Sequence, residues 1–416
     1  MLRIIQFHEA EPLLRRRQAR LEEAERVVEP IIEDVRRRGD RALLKYARKL
    51  DGLARQAKSV AVPMSESEAA LESLPPQFRK AMAQAARHIR DFARLQLPKP
   101  AMWRLTDGQR AGQIVRPLDA MAAYVPSGRY PLPSTVLMTV IPAQVAGVPQ
   151  TYVASPRPSA EILGAAAYLK ASGVFRMGGA HAIAAFAFGT ETVPRVDRIT
   201  GPGNIYVTAA KKLLAGVVGI DFVAGPSEIL IIAEDGNPAA LAADLLAQAE
   251  HDADAAAILV TTRRKLAEAV RIEVEAQLKE LPTAATARQA LRRNSAIIMA
   301  PSLEKAADLA NRFAPEHLSL PDARLLNLIH SAGSIFVGPY SPEAAGDYAS
   351  GPNHVLPTSG FARVRGGLSS ADFVKVISVQ ELSRAALERL APAITTLARS
   401  EGLEAHARSV EVRLGG

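Results

Sequence analysis

The stretch MAAYVPSGRYPLPSTVLMTVIPAQVAGVPQTYVA, residues 121–154, decides the fold class. Its apolar run at 121–125 predicts a strand, and the spacing over 134–145 predicts a helix. A second apolar run at 151–154 predicts the next strand. Strand, helix and strand in that order make the crossover unit of a parallel sheet. Working outward, the rhythm continues with a helix at 160–171, a strand at 174–177, a helix at 180–188, a strand at 197–199 and a helix at 204–215. A second series follows, with strands at 228–233, 256–261, 296–299 and 334–337 and helices at 238–250, 264–279, 303–313 and 322–330. The expected fold is α/β, with two Rossmann-like parallel-sheet domains and helical N-terminal and C-terminal extensions.

Four segments are expected. Residues 1–114 form a mainly helical region, rich in Ala, Leu, Arg and Glu, that packs on the second α/β domain. Its helical stretches are 22–50, broken at Gly39-Asp40, and 65–95, interrupted at Pro75-Pro76. Residues 115–226 form the first Rossmann-like domain and 227–365 the second. Residues 366–416 form a C-terminal helical segment that ends in an extended piece at 410–414. Gly201-Pro202-Gly203-Asn204 follows a strand and opens a helix, yet the GxGxxG dinucleotide fingerprint is not completed, and no P-loop is present.

Composition narrows the chemistry. The 416 residues are 48% hydrophobic and 23% charged, as expected of a soluble globular protein, and contain no cysteine. Disulfides, thiolate zinc sites and cysteine nucleophiles are thereby excluded. Any metal must sit on His, Asp, Glu or Gln, and any aldehyde oxidation must proceed without a thiohemiacetal. The first residues carry no apolar core of a secretory signal. The most apolar stretch, 136–148, is short and contains Pro142 and Gln144, so it cannot span a bilayer. A cytoplasmic protein with no membrane partner is expected. The net charge of +8 comes largely from helix-like segments such as 14–20 and 35–41, and aromatics are only 5%, with no nucleic-acid motif. A solvated surface is expected, compatible with attraction of anionic ligands such as dinucleotides.

Several polar groups stand at the ends of elements, where α/β enzymes place their sites. Gln248 and His251 are three apart, so on a helix they share a face. They make either half of a metal site or a solvated helix face. Ala314-Pro315-Glu316-His317 follows a helix that the proline stops. Its acid and imidazole are either two separately tuned acid/base groups or a histidine favoured at a helix C-terminus. The stretch GDYASGPNH, residues 346–354, offers Asp347 as a hard oxygen ligand and His354 as an imidazole, or is a plain turn. His406 would complete a set of two nitrogens and two oxygens with Gln248, His251 and Asp347, which suits zinc.

RVDRITGPGNIYVTAAKK (195–212), FVAGPSEILIIA (222–233), LLAQAEH (245–251), APEHL (314–318), GDYASGPNHVLPT (346–358) and LEAHARSV (403–410) resemble the histidinol dehydrogenases. The motifs run in order over nearly the whole chain. The resemblance implies an aldehyde-dehydrogenase-like fold and an NAD-dependent homodimer with one zinc ion per subunit. It implies oxidation of L-histidinol through L-histidinal to L-histidine, the final steps of histidine biosynthesis. It places zinc on Gln248, His251, Asp347 and His406, and the acid/base pair on Glu316 and His317. Substrate contacts fall on Ser227, Gln248, His251, His317, Asp347, His354, Glu401 and His406. NAD contacts fall on Tyr124, His181 and Asn204, and His181 stands where the family commonly has Gln. The C-terminal segment is expected to reach the partner's site, so that Glu401 and His406 act in trans. Two rival readings remain at this level: a paralogous zinc and NAD dehydrogenase for another small polar alcohol, and a non-enzymatic zinc-binding protein.

Overall fold

The computed structural model describes residues 2–14, 19–127 and 131–415, so most of the basic segment at 14–20 lies outside the described residues. Two six-stranded sheets and a smaller three-stranded one organise the chain. The first sheet has the order Ala61–Val62, Gly173–Phe175, Gln150–Ala154, Ala120–Tyr124, Arg198–Thr200 and Gly219–Ile220. Its pairings are parallel except at Ala61–Val62. The second has the order Arg3–Gln6, Ala296–Met299, Ala256–Thr261, Glu228–Ile232, His317–Leu320 and Ser334–Val337, parallel throughout.

Strand Glu228–Ile232 lies inside the second sheet and is buried along its whole length. Leu245, Val270 and Leu291 cover one face, while Leu309 and Phe313 belong to the cluster on the other. A strand covered on both faces reads as a continuous apolar run, which is why Glu228–Ile232 shows no alternation. Strand His317–Leu320 has no such signature. Only four residues long, it begins two residues after Pro315, and His317, which could have ended a helix, opens a strand instead.

The N-terminal region departs from expectation. Only Arg3–Gln6 joins the second sheet, beside Ala296–Met299. The helices pack on the first domain instead. Val28, Ile32 and Val35 of Ala19–Arg38 share a core with Ile183 and Val207, and Met82, Ala86 and Ile89 of Pro76–Leu95 share one with Val136 and Ile141. The cause is local. Helices Gly179–Phe188 and Pro133–Ala146 are buried nearly all round, so they need a second apolar layer outside them.

The C-terminal segment is also not helical alone. Val374–Glu381 pairs antiparallel with Arg110–Pro117, which pairs with Ala101–Arg104. These strands are half exposed on both faces and lack a clean period of two, so the sequence pattern hides them. Residues 410–414, expected to be extended, continue helix Glu404–Leu414, where Ala407 and Val410 turn inward at helical spacing.

Residues 349–373, which follow the second sheet, are fastened to helices Pro133–Ala146 and Pro76–Leu95 on the first domain's side. Asn353 donates to Met138 O at 2.6 Å, His88 Nδ1 lies 2.7 Å from Ala349 O, and Ser370 Oγ donates to Ala93 O at 2.6 Å.

The loop 201–204 is held from below by a buried ion pair. Lys211 Nζ donates to Asp221 Oδ1 at 2.7 Å and to Gly201 O at 2.6 Å, while Asp221 accepts from Gly201 N at 2.7 Å and Phe222 N at 2.8 Å. Gly201 has φ +110°, and a Cβ there would lie 2.1 Å from Tyr124 O, so glycine is required. Asp221→Ala leaves a buried ammonium unpaired and should cost about 3–5 kcal/mol. Urea unfolding checks this, and a loss under about 1 kcal/mol would contradict the pinning role.

Candidate active site

His317 opens strand His317–Leu320, the second sheet's last but one, at the sheet's amino edge. Its backbone pairs with Ile229 on one side and Ser334 on the other, so the ring has little freedom. The side chain is buried, and its Nδ1 lies 3.2 Å from Glu228 O. A carbonyl only accepts, so Nδ1 carries the proton. The other nitrogen, Nε2, is buried without a hydrogen bond and lies 3.5 Å from Asp347 Oδ1.

Carboxylates surround this ring. Glu316 Oε2 is 3.7 Å and Glu343 Oε1 3.5 Å from Nδ1. Glu316 Oε2 also accepts from Glu228 N at 2.8 Å. Helix Glu343–Tyr348 places Glu343 and Asp347 four residues apart on one face, towards the end of helix Pro238–Ala249. Gln248 is fully buried there. With its NH2 turned to the carboxylate, it donates to Glu343 Oε1 at 2.6 Å. His251 lies just beyond the helix end and is exposed. His251, Glu343 and Asp347 each bring a ligand atom within 4.8 Å of the others. His354 Nδ1 lies 2.8 Å from Asp347 O, and its Nε2 lies 3.5 Å from Thr135 Oγ1 on the first domain. Ser227 is half-buried directly before Glu228.

The proton affinities follow from this crowding. Burial pushes the Glu316 carboxyl up to about 8 against the pull of His317, and burial likewise carries Glu343 to about 8. Burial alone would lower His317, but Glu343, Glu316 and Asp347 overcome it and raise the imidazole to about 10. Partial burial alone would raise Asp347, yet the His317 contact holds it below the usual carboxylate range. Burial depresses His354. The charged neighbours that set these values are carboxylates and histidines. Such an excess of buried negative charge fits a bound cation. The donors are imidazole, carboxylate and amide oxygen, which suits zinc and leaves no thiolate requirement.

The other two metal and substrate residues expected from the sequence are elsewhere. His406 lies on helix Glu404–Leu414, and Glu401 caps helix Arg384–Ser400; both are exposed. These helices pack on each other, and Arg389 ties the first to Asp107 O at 2.8 Å. His406 is not in the group around Asp347.

The expected dinucleotide residues gather at the carboxyl edge of the first sheet. Tyr124 ends its strand, and its hydroxyl accepts from Gly179 N at 3.3 Å; burial raises the phenol to about 12, so it stays neutral. His181 is fully buried. Its Nε2 lies 2.7 Å from Asp51 Oδ2, which also accepts from Gly178 N at 2.9 Å, and its Nδ1 is buried without a partner. Asn204 caps helix Ile205–Leu214, accepting from Tyr206 N and Val207 N at 3.0 and 3.2 Å. Two helix N-termini and an unpaired buried imidazole nitrogen at one sheet edge fit a phosphate-bearing cofactor.

Sequence reading missed Glu343, Glu228 and Asp51. Glu343 had a usable signal, since it precedes Asp347 by one helical turn. Glu228 opens an otherwise apolar run, a rare place for a charge. Asp51 comes from a remote helical segment, and no local pattern connects it to His181.

Residues 14–414 match the family model described as histidinol dehydrogenase. The chain is 47% identical over 402 residues to histidinol dehydrogenase from Rhizobium meliloti (strain 1021), covering 94% of this chain and 92% of the relative. It is 48% identical over 403 residues to the Geobacter sulfurreducens enzyme of that name, covering 94% of each. The crystal structure of histidinol dehydrogenase from Elizabethkingia anophelis superposes with a TM-score of 0.95 at 38% identity, covering 99% of this chain and 98% of that one.

Glu316, Glu343 and His317 hold their protons more tightly in the folded chain than their ordinary values allow. A raised folded pKa gives stability that is complete below the unfolded value and lost as pH climbs through the folded one. The windows run from 4.5 to about 8 for the glutamates and from 6.5 to about 10 for His317. Metal-free protein should therefore lose stability from about pH 5 to about pH 9 by urea midpoint, less steeply in Glu316→Gln. A midpoint that rises over that range would contradict these assignments.

Proposed function

The chain belongs to the histidinol dehydrogenase family, and from that premise we propose that it oxidises L-histidinol through L-histidinal to L-histidine, the final steps of histidine biosynthesis, with two NAD and one zinc ion per subunit. The observation that carries the reading is the convergence of Gln248, His251, Glu316, His317 and Asp347, from three separate elements, on one acid-rich pocket.

Gln248, His251 and Asp347 are the residues of this pocket that would hold zinc, with His406 as the fourth ligand. When bound, the ion supplies a Lewis-acidic anchor that orients the imidazole and amino nitrogens of the substrate. His317 then serves as the base for the alcohol proton. Its Nδ1–H is fixed on Glu228 O, so Nε2 is the nitrogen presented for proton transfer. NAD, when bound, would accept the hydride from the same carbon. Glu316 activates a water that adds to the aldehyde, and His317 takes the remaining hydroxyl proton during the second hydride transfer. With no cysteine in the chain, a hydrated aldehyde is the natural intermediate. Ser227 and His354 flank the pocket and are assigned to the substrate.

NAD is assigned to Tyr124, His181 and Asn204. Asp51 holds His181 through Nε2, so a contact to the cofactor falls to Nδ1. The reading also includes a homodimer in which Glu401 and His406 complete the partner's pocket. Their exposure on a terminal helix pair, outside the group around Asp347, supports this. The cytoplasm is the proposed location; among the described residues no helix is long and apolar enough to cross a membrane.

Two measurements test the reading. Chelation should abolish histidinol-dependent NADH formation, and added zinc should restore it; full activity in thoroughly chelated protein would sink the zinc assignment. His317→Asn should slow both oxidations by roughly 10²–10⁴, whereas Glu316→Gln should impair mainly the histidinal step. Starting the assay from either substrate separates the steps, and equal loss in both for Glu316→Gln would remove the division of labour.

A further inference from the structure

Glu343 has no part in the reaction as described, yet it is one of the most deeply placed carboxylates in the pocket, with 4% of its surface exposed. It begins helix Glu343–Tyr348, one turn before Asp347, so the two acids project to the same side. Its Oε1 receives the Gln248 amide at 2.6 Å, and Oε2 lies 3.3 Å from the same nitrogen. That amide nitrogen also lies 3.2 Å from His317 Nδ1. The ring nitrogen already carries its proton towards Glu228 O and cannot accept, so the amide hydrogens belong to Glu343.

A glutamine ligand has a defect that a histidine ligand lacks. Its oxygen and nitrogen are nearly the same shape, and a flip about the last torsion swaps a ligand for a group that repels cations. An ionised carboxylate, which only accepts, would remove that ambiguity, because the flipped amide would set oxygen against oxygen. We propose that Glu343 is a positioning residue whose carboxylate locks the Gln248 amide with its oxygen turned to the metal. The inference rests on Gln248 being a zinc ligand. The competing assignment is that Glu343 binds the metal directly, since its carboxylate lies within 4.8 Å of the ligand atoms of His251 and Asp347.

Zinc affinity of the full-length protein, measured by competition with a chromogenic chelator, separates these assignments. Glu343→Ala should weaken zinc binding about 10–100-fold, the usual effect of losing a partner that orients a ligand. Glu343→Gln keeps an oxygen that accepts from Gln248 and should recover at least about tenfold of that loss. The double variant Gln248→Ala/Glu343→Ala should bind zinc no more weakly than Gln248→Ala alone, because Glu343 acts through Gln248. Wild-type affinity in Glu343→Ala, equal loss in Glu343→Gln, or additive losses in the double variant would each overturn the proposal. Should Glu343→Ala fail to fold, Glu343→Gln and Gln248→Ala/Glu343→Gln carry the same comparison. Wild-type protein that binds no zinc would instead remove the zinc reading on which the inference rests.

Discussion

A buried imidazole ringed by carboxylates is the constraint on which the rest of the structure depends. The backbone of His317 is a rung of the second sheet, and Glu316 and Glu343 are buried beside it. Left alone, the group holds extra protons, and His317 is an acid rather than a base. A cation beside Asp347 would reverse this by offsetting the carboxylates and returning the imidazole towards its ordinary range. On the proposed reading, metal binding and base strength would be one electrostatic event.

The fold serves this pocket in an unusual direction. Open α/β sheets generally bind ligands at the carboxyl ends of their strands. The first sheet obeys that rule, with Tyr124, Gly179 and Gly201 at its carboxyl edge. The second sheet offers its amino edge, where Ser227, Glu228 and His317 begin their strands and helix Pro238–Ala249 returns with Gln248. His354 stands at the junction of the two, between Asp347 and Thr135.

The strand and helix alternation in the two sheets was legible because parallel strands covered on both faces leave continuous apolar runs between turn signals. The three-stranded sheet was illegible because its strands bury neither face well. The packing of the N-terminal helices was misjudged for a related reason. Val28, Ile32 and Val35 announce an apolar stripe, but a stripe does not name the surface it covers. Within the pocket, Glu316, His317 and Asp347 stood out as polar residues beside Pro and Gly at element ends. Glu343 begins a short helix one turn before Asp347, and its contact with Gln248 appears only when helix Pro238–Ala249 is placed against it. His181 carried a family signal for the cofactor, while its bond to Asp51 spans 130 residues and has no trace in local sequence.

One chain gathers Glu316, His317, Gln248, His251 and Asp347, while Glu401 and His406 stand on an exposed terminal helix pair. The proposed reading has two subunits build the pocket together. Mixing subunits tests this most directly. Glu316→Gln and His406→Asn proteins, each inactive alone, are unfolded and refolded together, and NADH formation from histidinol is measured. Random pairing places an intact Glu316 opposite an intact His406 in one pocket of each mixed dimer, so about a quarter of wild-type activity should return. Activity no greater than that of the separate variants would contradict a shared pocket.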